Sequence, residues 1–275
     1  MSTTVAAMDL ARVQAVVRDT PHMTPAQAAT ITDFIAEHRP ADILELGFRH
    51  GVSTCFMAEQ LELLNPGGSR GHITTIDLPG ARDAEPNVEK LLSELGLRDR
   101  VTVHYEHSGY LWRLLKMLEE DPTPRFDLCY LDGAHSWAVD GFAFFLVDRL
   151  LRPGGWIIFD DVNWSYASSP SMSQLDWVRA LPVEEREAKQ VKKIVDVLVR
   201  PHPGYGDVRL QAEWAFVQKL GGGMATDREL AAARREAAKW RAAYEGLRNR
   251  PAVKVLATAG RAARQARTAV RNRRG

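Results

Sequence analysis

Cysteine is scarce: 275 residues contain two, Cys55 and Cys129, and neither belongs to a metal-spaced pair. That excludes a disulfide scaffold and a cysteine-based zinc module, and it implies buried thiols in a reducing compartment. Long apolar runs are missing too; none approaches the roughly 20 residues that span a bilayer. The opening MSTTVAAMDLARVQAVVRDT lacks a basic stretch followed by an apolar one, so no secretory signal is expected. No internal repeat is found. The expected location is cytoplasmic.

Apolar residues make up 45% and charged residues 26%, enough for a globular core. The formal net charge of +1 hides an asymmetry. Residues 226–275 hold 14 Lys/Arg against 4 Asp/Glu, which leaves 22 against 31 in the rest of the chain. An acidic body thus carries a basic tail, and the two are expected to do different work.

After an amphipathic helix in PAQAATITDFIAEHR, strand and helix patterns alternate. The strands are DILELG, HITTIDL, VTVHYE, FDLCYLD and WIIFDDV. The helices between them are GVSTCFMAEQLELL, NVEKLLSELGL, GYLWRLLKMLEE and WAVDGFAFFLVDRLL, punctuated by NPGG, DPTP and RPGG. A helix is expected in MSQLDWVRALP, and two late strands in KKIVDVLV and EWAFVQK. Such alternation implies an α/β fold with a doubly wound, mainly parallel sheet of seven strands. Ligands then bind beyond the carboxyl ends of the strands. That singles out Glu45 to Gly47, Asp77, Glu106 to Ser108, Asp132, Asp160 and Asp161.

ILELGFRHGVST places an acid at the end of the first strand and Gly47 and Gly51 around a turn into a helix. The middle glycine of a dinucleotide fingerprint is missing; Arg49 and His50 stand there, which disfavours a pyrophosphate cradle and a nicotinamide-dependent oxidoreductase. Ser53 and Thr54 offer hydroxyls at the helix start. Asp77, ending the second strand, is placed to accept from two ribose hydroxyls.

LELGFRHGVST, TIDL, DLCYLDGAHSW and LLRPGGWIIFDD, in this order, resemble the class I S-adenosylmethionine-dependent methyltransferases. More narrowly, they are similar to a branch of cephalosporin-hydroxylase-like and macrolide- or glycan-sugar O-methyltransferases. The resemblance covers residues 40–165 well and the tail not at all. It implies a Rossmann-like methyltransferase domain over 41–220, preceded by N-terminal helices over 1–40. It implies cofactor-binding roles for Glu45, Gly47, Gly51 and Ser53 on the methionine side, Asp77 at the ribose, Ser108 near the adenine and Asp132 at the reacting end.

Asp132, Asp160 and Asp161 would repel one another if clustered bare. A divalent cation with oxygen ligands, Mg²⁺ above all, would compensate them and orient an acceptor hydroxyl. The resembled sugar O-methyltransferases arrange equivalent carboxylates in this way. His135, three residues past Asp132, is the expected general base, with Asp132 beside it. Two plainer readings stand beside these: one Asp of the pair caps a turn or binds the cofactor's amino group, and His135 bonds a helix start. Trp164 and Tyr166 are expected at the acceptor, in an NWSYASSPSMS loop. The expected acceptor is a hydroxylated one, a sugar in a glycan or glycosylated natural product. A metal-independent methyltransferase of a small phenol or amine is the first alternative, a nicotinamide-dependent oxidoreductase the second and a non-catalytic scaffold the third.

Leu230, Ala233, Ala237, Trp240, Tyr244 and Leu247 recur at helical spacing, so 221–250 reads as an amphipathic helix that packs on the domain or pairs in a homo-oligomer. From Pro251 to the end there are seven Lys/Arg and no acid. That basic tail, 251–275, is expected either to be solvated or to touch an anionic membrane surface from the cytoplasmic side. No aromatic–basic interleaving supports nucleic acid.

Overall fold

The strand DILEL is apolar toward both sides. In the computed structural model it becomes β1 (Asp42–Leu46), with Ile43, Leu44 and Leu46 fully buried. Only a strand covered on both faces buries consecutive residues in this way. The structure describes residues 2–18, 20–21, 23–67 and 71–220. The expectations for 221–250 and 251–275 lie outside them.

β1 pairs in parallel with β2 (His72–Asp77) on one side and β4 (Phe126–Leu131) on the other. β3 (Val101–Tyr105) extends the sheet beyond β2, and β5 (Leu151–Phe159) beyond β4. β7 (Trp214–Gln218) runs antiparallel against β5, and β6 (Arg209–Gln211) closes that edge. The order is β3-β2-β1-β4-β5-β7-β6, the doubly wound, mainly parallel sheet of seven strands that the sequence predicts. The chain leaves β1 toward β2 and β3, then returns to the other side with β4. That reversal opens a crevice at the carboxyl ends of β1 and β4.

Helices α1 (Ser2–Val17), α2 (Pro25–His38), α3 (Val52–Leu64) and α4 (Val88–Leu95) cover one face. Helices α5 (Tyr110–Glu120) and α6 (Trp137–Leu150) cover the other. Alternate strand residues feed the two cores. Ile43, Leu128 and Ile158 join the first, while Leu44, Cys129 and Ile157 join the second. Thr24 starts α2 with a reciprocal cap from Gln27, and Pro25 fills the first turn, where its missing N–H costs nothing.

Three expectations need correction. KKIVDVLV is not a strand. It lies in α9 (Gln190–Ile194) and the π-helical turn Val195–Val199 that continues it. Val191, Ile194, Val195 and Val199 are buried while Val197 is 57% exposed, which is a helical stripe written in β-branched residues. MSQLDWVRALP does not make one helix. It breaks into a 3-10 turn at Met172–Gln174 and the single turn α7 (Asp176–Arg179); α8 (Val183–Glu187) follows. RPGG does not separate α6 from its strand. β5 begins at Leu151, and Arg152 to Gly155 bulge between the pairs Phe126–Leu151 and Leu128–Trp156. Among the described residues no helix is long and apolar enough to cross a membrane.

Candidate active site

The crevice holds a cavity of about 880 Å³. Its floor is the turn between β1 and α3. Gly47 has φ +88°, and a Cβ there would lie 1.9 Å from the Asp132 carbonyl oxygen. Gly51 has φ +87°, and a Cβ there would lie 2.3 Å from Val88 Cγ2. Both positions therefore demand glycine, for conformation and for space. Gly47 faces the cavity; Gly51 instead seats α4.

Glu45 does not reach the cavity. It is fully buried beneath the turn, where its oxygens accept from Ser53 Oγ at 2.5 Å and Thr54 Oγ1 at 2.6 Å. Burial pushes its carboxyl up to about 7, against the opposing pull of these hydroxyls. Glu45 thus fastens the start of α3 to β1, and Ser53 alone of the trio lines the cavity. Asp77 does line it. One of its oxygens accepts from the N–H of Phe48 at 2.9 Å and Arg49 at 2.7 Å, and the other from Leu78 N–H at 2.6 Å. Those bonds hold the carboxylate at one end of the cavity. Ser108 lies on the wall beside it, and Leu78, half exposed, offers an apolar face. His50 also reaches the cavity, with Nδ1 2.8 Å from the Pro86 carbonyl.

The opposite end is acidic. His135 stands between two carboxylates, its Nε2 3.1 Å from Asp132 Oδ1 and its Nδ1 3.6 Å from Asp161 Oδ2. Burial lowers the affinity of its ring for a proton. The hydrogen bond and charge of Asp132, with Asp161 and Asp140 behind, outweigh this and raise its pKa to about 9. His135 and Asp161 both adopt left-handed backbone conformations, with φ of +51° and +53°. Such conformations concentrate at functional sites.

Asp160 also lines the cavity but is tied down by its own hydrogen bonds. Its oxygens accept from the Tyr130 hydroxyl at 2.5 Å and the Asp161 N–H at 2.6 Å. Burial, then the charges of Asp132 and Asp161, push it up to about 8. Among the described residues, Asp132, His135 and Asp161 are the group whose ligand atoms lie within 4.8 Å of one another. Two carboxylates and an imidazole are a donor set that suits a divalent cation such as Mn²⁺ or Mg²⁺. The set differs from the expected Asp132, Asp160 and Asp161 by exchanging His135 for Asp160.

Trp164 packs edge-on against His135 with ring centres 5.1 Å apart, and Tyr166 stands 5.1 Å behind Trp164. Trp177 follows at 5.3 Å. Trp164 and Tyr166 back the histidine without lining the cavity. Pro21, Met23, Thr24 and Gln27, just before and at the start of α2, form another wall. Sequence reasoning passed over these residues, along with Leu78, Tyr110, Tyr130 and Asp140. Only Asp140 carried a signal, as an acid inside the apolar helix WAVDGFAFF.

Residues 44–162 match a family described as "Methyltransferase domain". No curated protein matches the chain. Among solved structures, the O-methyltransferase TomG from Streptomyces achromogenes, in complex with S-adenosylmethionine, is 18% identical. That match covers 78% of this chain and 90% of TomG, with a TM-score of 0.54. An O-methyltransferase from Bacillus cereus with bound S-adenosylhomocysteine is 19% identical, covering 78% and 90%, with a TM-score of 0.51. The S-adenosylhomocysteine-bound Podospora anserina methyltransferase PaMTH1 is 19% identical, covering 77% and 87%, with a TM-score of 0.53. Residues 44–162 thus resemble the methyltransferase-domain family, and the chain shares the fold of these enzymes.

Proposed function

We propose that this chain is an S-adenosylmethionine-dependent O-methyltransferase acting on a sugar hydroxyl with the help of a divalent cation. The observation that carries the reading is the polarity of one cavity. A backbone-anchored Asp77 stands at one end, and the Asp132–His135–Asp161 cluster at the other. S-adenosylmethionine supplies an electrophilic methyl group on a sulfonium. Asp77 would accept hydrogen bonds from the ribose hydroxyls, and the bare turn at Gly47 would let the backbone approach the methionine portion. Asp132 and Asp161 would hold the cation, which would lower the pKa of a neighbouring hydroxyl. His135 would take the acceptor's proton as the oxygen–carbon bond to the methyl forms and the carbon–sulfur bond breaks.

The base role carries a condition. Flanked by two carboxylates, His135 is an imidazolium at neutral pH, and a base has to be neutral. A cation on Asp132 and Asp161 offsets their charge and returns the ring toward its ordinary range. Metal and base therefore belong together in this reading. A second reading rests on the same contact: the imidazolium already compensates the carboxylates, as a metal-independent enzyme would need.

Calorimetry tests the cofactor, and electron paramagnetic resonance of added Mn²⁺ tests the cation. S-adenosylhomocysteine should bind the wild-type protein. Asp77→Ala should weaken it about tenfold or more, because hydrogen bonds to a charged group contribute about 1.5–3 kcal/mol each. Bound Mn²⁺ should disappear in Asp161→Asn. A folded wild type that ignores S-adenosylhomocysteine would overturn the methyltransferase reading; one that binds it but not Mn²⁺ leaves the metal-independent form.

A further inference from the structure

Asp132 and His135 sit on one short segment between β4 and α6, and two groups outside that mechanism hold it. Tyr110 opens α5, and Asp140 lies in the first turn of α6. Asp140 is fully buried, although its helix otherwise turns Ala143, Phe144 and Val147 inward. A carboxylate in an apolar interior is costly unless its oxygens are hydrogen-bonded. These are. The Tyr110 hydroxyl donates to one Asp140 oxygen and itself accepts the Ala134 N–H at 3.1 Å. The other Asp140 oxygen accepts the Ser136 N–H at 3.0 Å. The pair therefore grips the backbone on both sides of His135.

The grip is tight elsewhere too. A Cβ on Gly133 would fall 2.5 Å from the Tyr110 ring, so the ring lies flush against that backbone. Asp132 N–H reaches the Leu46 carbonyl at 2.9 Å, and Trp137 N–H reaches Gln190 Oε1 at 2.7 Å. Between these two ends, Tyr110 and Asp140 supply the fixed points. His135 holds a left-handed conformation, which a residue with a side chain keeps only when its surroundings fix it.

We infer that Tyr110 and Asp140 are positioning residues, whose hydrogen bonds to Ala134 and Ser136 keep the His135 imidazole between Asp132 and Asp161. The inference deepens the methyltransferase reading and rests on it for the word "positioning". The bonds themselves stand on the geometry alone. Tyr110→Phe removes the hydroxyl and keeps the ring against Gly133. Asp140→Asn keeps the shape and removes one acceptor.

Both variants should be followed by NMR of ¹⁵N-labelled protein, with the His135 ring signals identified by their loss in His135→Gln. In each variant the His135 ring signals should shift and broaden or split, and the Ala134 and Ser136 amide signals should move. Signals from β1 and β2 should stay as in wild type, and each variant should still melt cooperatively, lowered only by the loss of one buried hydrogen bond. Unchanged His135 signals in a folded variant would overturn the inference. So would a spectrum altered throughout with a collapsed melting temperature in both variants, which marks a role in folding alone. If wild type fails to bind S-adenosylhomocysteine, the methyltransferase reading falls while the response of His135 is still read separately.

Discussion

Between pH 5 and 7 the buried Glu45 works against the folded chain. Its pKa rises from 4.5 to about 7 on folding, so the folded state binds the proton more tightly than the unfolded one. Stability with respect to this group is greatest below its unfolded value. It declines as pH rises toward 7, then levels off, a loss of about 3 kcal/mol at 1.36 kcal/mol per pKa unit. Asp160 slopes the same way, up to about pH 8. Urea titrations of wild type from pH 5 to 8 should therefore show falling stability, and Glu45→Gln should flatten the lower part of that fall. An unchanged slope would mean that Glu45 is ionised at little cost. The sequence placed Glu45 at a strand end and marked it as cofactor-facing. Nothing in ILELG says that Ser53 and Thr54, eight and nine residues on, would take both its oxygens.

At the scale of elements, α9 tests how a stripe outvotes composition. Ile194→Ala should cost about 2–4 kcal/mol, as for other buried isoleucines. Val197→Ala, three residues on and exposed, should stay within about 0.5 kcal/mol. Equal effects would restore a strand buried on both faces. The five alternations from DILELG to WIIFDDV were legible because each strand is a short apolar run bounded by turn residues. β6 was not: Arg209, Leu210 and Gln211 are all exposed at an edge, and such a strand needs no hydrophobic pattern. The acids at the strand ends were legible for the same topological reason that puts ligands there. Which of them meet was not, because Tyr130, hidden in the apolar FDLCYL, draws Asp160 aside.

For the whole molecule, the contrast between an acidic body and a basic end predicts separable roles. A chain ended after Gly223 should melt cooperatively within a few degrees of the full chain and bind S-adenosylhomocysteine equally well. Loss of dimer in ultracentrifugation, or of phosphatidylserine vesicles in flotation, would assign residues 224–275 to assembly or to membranes. Loss of cofactor affinity would instead tie them to the domain. The body itself has a property that follows from two bare backbones. Gly47 rests on the carbonyl of Asp132, and the next residue, Gly133, rests on the ring of Tyr110, with no space for a methyl group at either contact. From the Asp77 end of the cavity toward the His135 end, backbone thus packs on backbone at Gly47 and on the Tyr110 ring at Gly133. The span works as a gauge whose length is set by these two contacts. Variation in what the cavity accepts is left to its other walls, at Met23, Gln27 and Val139, where a substitution can reshape the space without moving the gauge.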